Sequence, residues 1–167
     1  MARFLRSSKF WLLNCALLVV ISFTLAGVSL AQPPQKRSHP AAEEDPVFQE
    51  YRGVKIGWLA DEVRKKLGNP ANKADDQDYY EFGEKERAQV YYDKATKQVM
   101  AISVDFIGAG TGVLTPQQVF GSDFETKSDG SKSKLVRYPK AGYWVSYSRT
   151  AGDNPIISVT MQKLPPQ

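Results

Sequence analysis

Two carboxylates, Glu81 and Asp105, are the residues of this chain that come nearest to a catalytic pair. Acidic side chains about 5 to 10 Å apart across a cleft can cleave a glycosidic bond, one as the acid and the other as base or nucleophile. Residue alternation along their strands predicts that both project onto one open face of a sheet. Nothing in the surrounding sequence marks either one as an acid catalyst. A carboxylate-dependent hydrolase is therefore an alternative, and the main prediction is a protein without catalytic residues.

The chain has few other residues of the types that catalytic and metal sites require. His39 is the single histidine and lies in a segment predicted to be a tether, which excludes a Ser-His-Asp or Cys-His site in the folded domain. Ordinary zinc sites need clusters of Cys and His, and Cys15 is the single cysteine. Three aspartates, Asp75, Asp76 and Asp78, lack the glycine turn and terminal glutamate of a calcium loop, so they predict a solvated turn. We expect no metal site and no cofactor.

A glycine-rich segment from Gly108 to Gly112 follows a predicted strand and precedes a predicted helix. A dinucleotide-binding loop has the same placement, but Val113 stands where the third glycine of that fingerprint belongs. The flanking strands are predicted to form meanders, whereas the fingerprint requires a parallel crossover. The segment is interpreted as a hinge.

Exposed aromatic residues are the best candidates for recognition. Alternation places Tyr91, Trp144 and Ser146 on the open face of the sheet, and Tyr79 belongs to the same group. Tyrosine and tryptophan give a large contact area with few rotatable bonds and dominate binding hot spots. We predict that Tyr79, Tyr91, Trp144 and Ser146 bind a partner. The alternative is that residues 47–56 pack on this face and cover it.

The elements that position these residues follow from hydrophobic periodicity. Leu59, Val63 and Leu67 recur at four-residue spacing and predict a short amphipathic helix that ends at Gly68. A second short helix is predicted from Thr115 to Phe120, capped by Thr115. The alternating segments predict six strands: Asp78–Gly83, Ala88–Asp93, Gln98–Phe106, Lys134–Tyr138, Gly142–Arg149 and Pro155–Lys163.

Several residues recur 55 positions apart, which suggests a duplicated unit. The recurring set is Val90, Tyr92, Ile102, Ser103 and Val104, matched by Val145, Tyr147, Ile157, Ser158 and Val159. The predicted fold class is therefore α+β, with two tandem repeats, each a helix followed by a three-stranded meander. Both repeats are expected to form one antiparallel sheet with the helices on one face.

The chain divides into a leader, a tether and one domain. Arg3, Arg6 and Lys9 precede an apolar run and Ser29-Leu30-Ala31, so residues 1–31 read as a signal peptide cleaved after Ala31. An uncleaved membrane anchor is the alternative. Residues 32–46 are polar and proline-rich and predict a flexible tether. Residues 47–164 form the predicted domain, with repeat one at about 54–107 and repeat two at about 112–164.

The positive charge of the chain gives no indication of nucleic-acid binding. Three of the 22 basic residues lie in the leader, and none of the 18 acidic residues does, so the mature chain is nearly neutral. A nucleic-acid interface would require a basic patch on the folded domain. The expected partner is an envelope protein, with membrane association only through the leader if it is uncleaved.

One segment resembles a known family. Gly57-Trp58, Asp61-Glu62-Val63, Leu67-Gly68-Asn69-Pro70 and Tyr80-Glu81-Phe82 resemble the glycine, helix and cap segment of the SmpA/OmlA (BamE-type) family. The resemblance covers about residues 54–106 and implies a small envelope protein associated with outer-membrane β-barrel assembly. The tandem arrangement resembles that of the β-lactamase inhibitory proteins. Members of the assembly family usually have one copy, a lipidated cysteine and a Ser or Thr cap where Leu59 stands, and this chain also lacks the inhibitors' disulfides.

These observations predict an exported, non-catalytic, protein-binding module of the cell envelope, linked to outer-membrane assembly or maintenance. Its predicted location is periplasmic or secreted. The alternatives are a secreted inhibitor or ligand-binding protein and the carboxylate hydrolase.

Overall fold

The structure is a computed structural model that describes residues 45–166. The predicted signal peptide and most of the predicted tether lie outside the described residues. Within these residues, two short helices and seven strands follow one another: α1 (Ala60–Leu67), β1 (Asn72–Lys73), β2 (Gln77–Glu81), β3 (Glu86–Tyr92), β4 (Val99–Ile107), α2 (Pro116–Phe120), β5 (Lys132–Tyr138), β6 (Tyr143–Arg149) and β7 (Ile156–Lys163).

All seven strands belong to one antiparallel sheet in the order β1-β2-β3-β4-β7-β6-β5. The early strands and the late strands meet at the centre of the sheet, where β4 pairs with β7. Val104 lies opposite Val159 in that pairing, and both side chains are fully buried.

The predicted fold class is wrong. The chain is not a tandem α+β arrangement of two helix-plus-meander repeats, because the seven-stranded sheet accounts for most of its regular structure. The helices have only 8 and 5 residues, too few to form a layer of their own. Four strands follow α1 and three follow α2, so the two halves also differ in strand number. Matched apolar residues of the 55-residue recurrence, such as Val90 and Val145, are both buried within this one sheet.

The core lies on one side of the sheet. Val90, Tyr92, Val145 and Tyr147 are each at most 3% exposed, as strand alternation requires when one face is covered. Both helices contribute to this core through Val63 and Val119, along with a group of other buried residues: Phe48, Tyr51, Val54, Tyr80, Ile102, Val104, Phe106, Val136, Tyr138, Tyr143, Ile157, Val159 and Met161.

The segment before α1 packs on the core side of the sheet. Phe48, Tyr51 and Val54 are buried members of the core, and the Tyr143 hydroxyl donates a hydrogen bond to the Phe48 carbonyl at 3.4 Å. The alternative in which residues 47–56 cover the opposite face is therefore wrong.

A buried ionic cluster fixes α1 to the sheet. Asp78 is 0% exposed and accepts hydrogen bonds from Arg64 Nε at 2.8 Å, Arg64 Nη2 at 3.1 Å and the Tyr92 hydroxyl at 2.8 Å. Burial and the hydrogen bond to Asp78 raise the pKa of Tyr92 well above its ordinary value. The prediction of a solvated turn at Asp78 is wrong, because this aspartate is the acceptor at the centre of the cluster.

A β-bulge changes the side of the sheet on which the Met100 side chain lies. The β3–β4 register shifts between Tyr91, opposite Ala101, and Tyr92, opposite Val99. Met100 has no partner in that register and is 38% exposed, while Val99 is fully buried. Alternation along the predicted strand Gln98–Phe106 places Met100 on the buried side together with Ile102, Val104 and Phe106. That prediction is wrong, since the extra residue of a bulge reverses the alternation on one side of it.

Within residues 45–166, no helix is long and apolar enough to span a bilayer.

Candidate functional site

The side of the sheet opposite the core, here called the open face, carries polar and aromatic side chains. Strand pairing arranges them in rows that cross the sheet, because directly paired residues point to the same side. The open face comprises Asn72, Gln77, Tyr79, Glu81, Arg87, Gln89, Tyr91, Ala101, Ser103, Asp105, Ile107, Ser133, Leu135, Arg137, Trp144, Ser146, Ser148, Ile156, Ser158, Thr160 and Gln162.

Tyr91 and Trp144 stand at the two ends of a stretch of one such row. Tyr91 pairs with Ala101, Ala101 with Gln162, and Gln162 with Trp144. Neighbouring strands are about 4.8 Å apart, so the backbones of β3 and β6 are separated by about 14 Å. Between the two large rings the row has the methyl group of Ala101, next to Tyr91, and the longer side chain of Gln162, next to Trp144. The row therefore dips at Ala101.

The next row extends this dip along the strands. It runs from Tyr79 through Gln89 on the β3 side to Ser103, Thr160 and Ser146. The last three side chains are small, as are Ser148 and Ser158 in the row beyond. We call this depression the trough: its floor is Ala101, Ser103, Ser146, Ser148, Ser158 and Thr160, and its sides are the larger β3 side chains and Trp144.

Hydrogen bonds within the open face hold several of these side chains. The hydroxyl oxygens of Ser103 and Thr160 lie 2.9 Å apart across the central strand pair. Tyr91 donates its hydroxyl to Gln89 Oε1. Tyr79 donates to Glu81 Oε1 at 3.1 Å, and the limited desolvation of its ring together with this bond raises the pKa of Tyr79. The tyrosines beside the trough are thereby oriented before any partner binds.

A cavity of about 750 Å³ opens where the trough meets the β-bulge. Tyr91, Met100, Ser103, Thr160 and Gln162 contribute to its lining, with Asp76, Gln77, Tyr92, Asp93, Lys94 and Ala101. A second cavity of about 510 Å³ adjoins it, sharing Asp93, Met100 and Gln162. Because the bulge turns Met100 outward, an apolar side chain stands among the polar ones at this end of the face.

The two candidate catalytic carboxylates are on the open face but do not form a facing pair. Glu81 pairs with Arg87, and Arg87 pairs with Asp105, so an arginine lies between them in the row. Asp105 accepts a hydrogen bond from Ser158. Neither carboxylate lines the cavity beside Tyr91. Glu81, Arg87 and Asp105 therefore form a row of alternating charge across the open face.

All four predicted partner-binding residues lie on the open face. Tyr79, Tyr91, Trp144 and Ser146 are each half-buried, with Ser146 on the trough floor opposite Thr160. Their binding role stays a prediction. Sequence reasoning missed the trough itself, whose signal was the run of small residues Ala101, Ser103, Ser158 and Thr160 on two strands that turn out to be neighbours.

Metal ligation has no support in the described part of the chain. No group of three or more His, Cys, Asp or Glu side chains within residues 45–166 is placed to hold an ion. The hydroxyl, amide and aromatic groups of the open face are suited to contact and hydrogen bonding.

Comparison with known proteins adds no family to this geometry. No family model, curated protein or solved structure matches the chain. The assignment of a function therefore depends on the open face and the sequence features already described.

Proposed function

We propose that the chain is an exported, non-catalytic module that binds another protein of the cell envelope through its open face. The observation that carries this proposal is the trough between Tyr91 and Trp144, whose two aromatic side chains are only half-buried on the side of the sheet opposite the core. Tyrosine and tryptophan at its sides are the residue types that most often dominate binding energy at protein interfaces. Serine and threonine hydroxyls on the floor can donate to and accept from a partner's backbone.

The charges of the open face favour a partner segment without large net charge. Arg87 and Arg137 are balanced by Glu81 and Asp105 on the same face. An interface core is typically depleted of charged residues and enriched in aromatic ones, and the middle of this face follows that pattern. A loop or extended segment that is polar and uncharged would fill the trough without leaving a buried charge unpaired.

Export and an envelope location rest on the sequence. The basic and apolar leader, residues 1–31, supports secretion across a membrane. The resemblance of residues 54–106 to the SmpA/OmlA family supports a role linked to outer-membrane assembly or maintenance. Both features concern where the protein acts, while the open face concerns how it binds.

A secreted ligand-binding protein is a second candidate. The cavity of about 750 Å³ beside Tyr91 falls within the 300 to 1,000 Å³ typical of small-molecule sites. Cell fractionation distinguishes the two: recovery in the culture medium supports release as a binder or inhibitor, and retention in the envelope supports the main proposal.

The direct test is affinity capture from the protein's own envelope with paired aromatic variants. Tyr91→Ala and Trp144→Ala, singly and together, are expected to abolish capture of a partner that the unmodified chain retains. Leu59→Ala is the matched control, because Leu59 is 47% exposed but lies at the start of α1. Capture that survives the double change refutes binding at this face.

A further inference from the structure

The two edges of the sheet differ in length. At one edge β1 has only 2 residues, whereas at the other β5 has 7. Within residues 45–166, the backbone of β5 pairs with β6 alone, apart from the turn that follows Tyr138. In an antiparallel pair, alternate residues point their N–H and C=O groups away from the partner strand. The outer side of β5 therefore presents backbone donors and acceptors that another strand could pair with.

The side chains of this edge are cationic on both faces of the sheet. Lys132 and Lys134 point to the helix side and Arg137 to the open face, as their pairing with Arg149, Tyr147 and Trp144 requires. Lys132 Nζ forms a salt bridge with Asp123 Oδ1 at 2.9 Å. Lys134 and Arg137 have no carboxylate partner within the described residues 45–166. No acidic residue occurs within β5 itself.

Aromatic rings fix the position of one of these cations. Lys134 Nζ lies 5.0 Å from the ring centre of Phe120 and 5.6 Å from that of Phe124, so its charge is held beside the strand edge by cation–π contacts. Phe124 in turn packs edge-on against Tyr147 of β6 at 5.8 Å. The cation is thereby ordered in advance, which reduces the entropy lost when an anion binds it.

We propose that β5 is a docking edge for an extended acidic segment of a partner protein, which adds to the sheet as an eighth strand. Backbone hydrogen bonds would provide affinity, and acidic side chains facing Lys134 and Arg137 would select the segment. A second copy of this chain is a poor occupant, because β5 paired with itself would set Lys132, Lys134 and Arg137 against like charges. Arg137 neighbours Trp144 on the open face, but the outer backbone of β5 is not part of the trough, so the peptide test of this edge and the capture test of the trough can fail independently.

The probe is a synthetic nine-residue peptide of threonine with glutamate at positions 3 and 6, whose side chains point to opposite faces of a strand as those of Lys134 and Arg137 do. It is blocked at both ends, fluorescently labelled and titrated with the full-length chain. Saturable binding by fluorescence anisotropy is expected. Lys134→Glu combined with Arg137→Glu should weaken it about tenfold, since two favourable ion pairs with the peptide become unfavourable. Lys65→Glu combined with Lys85→Glu makes the same change in net charge at exposed positions elsewhere and should leave affinity within twofold.

Two further peptides separate strand addition from simple charge attraction. A version with lysine in place of glutamate should not bind. A version N-methylated at alternate residues keeps every charge but loses backbone donors, and it should bind at least tenfold more weakly. Hydrogen exchange of the complex should show new protection in residues 132–138. Equal binding by the N-methylated peptide, equal loss in both charge variants, or protection confined to the open face would each overturn the proposal.

Discussion

The hydroxyl oxygens of Ser103 and Thr160 lie 2.9 Å apart on the open face, where β4 and β7 meet at the centre of the sheet. Each side chain gives the other a hydrogen-bond partner, so the trough floor is polar without carrying charge. The position matters for binding, because a segment lying between Tyr91 and Trp144 would cross this pair.

Filling the trough should block binding without unfolding the domain. Ser146→Arg places a long charged side chain on the floor beside Thr160, at a half-buried site whose side chain makes no core contact by strand alternation. We expect envelope partner capture to fall below detection while the thermal midpoint changes by no more than a few degrees. Ser128→Arg, the same change in an exposed turn, is the control and should retain full capture.

Removing the buried carboxylate of Asp78 should strongly reduce the free energy of unfolding. Asp78→Ala leaves Arg64 and the Tyr92 hydroxyl without their shared acceptor, and breaking a buried ion pair by removing one partner costs about 3 kcal/mol or more. Denaturant unfolding followed by tryptophan fluorescence measures the loss. Asp61→Ala, which removes a carboxylate that is 97% exposed and 3.5 Å from Arg64, should change the free energy of unfolding by less than about 0.5 kcal/mol. Similar losses in both variants would contradict the assigned role of Asp78.

Substitutions at the N-caps of the two helices should change the free energy of unfolding in opposite directions. Thr115 caps α2, where its hydroxyl accepts from the Gln118 N–H at 3.3 Å, so Thr115→Ala should reduce the free energy of unfolding by about 1 kcal/mol. Leu59 occupies the N-cap of α1 without a side-chain acceptor and is 47% exposed, so Leu59→Ser should add about 0.5 to 1 kcal/mol. Thermal unfolding of both variants checks the signs, and destabilisation by Leu59→Ser would refute the interpretation of α1.

Acid stability should depend on Glu86. Burial disfavours its ionised form, but hydrogen bonds from Arg52 and Tyr51 outweigh this and lower the pKa of Glu86 below its ordinary value of 4.5. A depressed pKa in the folded state gives stability that is present above pH 4.5 and is lost as the pH falls through the lower folded-state pKa. Glu86→Gln should therefore flatten this part of the stability profile, measured by urea unfolding from pH 6 to pH 2.5.

The control for that profile is Glu84→Gln, two residues away and exposed. It should reproduce the slope of the unmodified chain. If the Glu86 and Glu84 variants share one slope, the Arg52, Tyr51 and Glu86 network does not set the acid response.

Periodicity located most strands because one face of the sheet is covered. The predicted strand at Gln98–Phe106 agrees with β4, Val99–Ile107, to within one residue at each end, and Pro155–Lys163 contains all of β7. β1 was missed because its 2 residues are both exposed and have no apolar alternation. Recurring residues also suggested repeats with helical layers, but residues 116–120 form little more than one helical turn, and sheet pairing dominates the fold.

The open-face residues followed from alternation, whereas their arrangement did not. Tyr91 and Trp144 could be placed on a face from their own strands. That they stand in one row depends on the pairing of β4 with β7, a contact between distant parts of the sequence. Met100 and Asp78 were assigned incorrectly for a related reason: a bulge against a neighbouring strand and an ion pair with a helix are set by tertiary contacts.

Site-specific photo-crosslinking in intact cells tests the central claim most directly. A photoreactive amino acid is placed at Tyr91, at Trp144 or, as the control, at Lys65 on the exposed side of α1. Binding through the trough predicts one and the same protein adduct from positions 91 and 144, none from position 65, and loss of the adduct when Ser146→Arg is added. An adduct from Lys65 of equal yield, or one that persists with Ser146→Arg, would contradict the account.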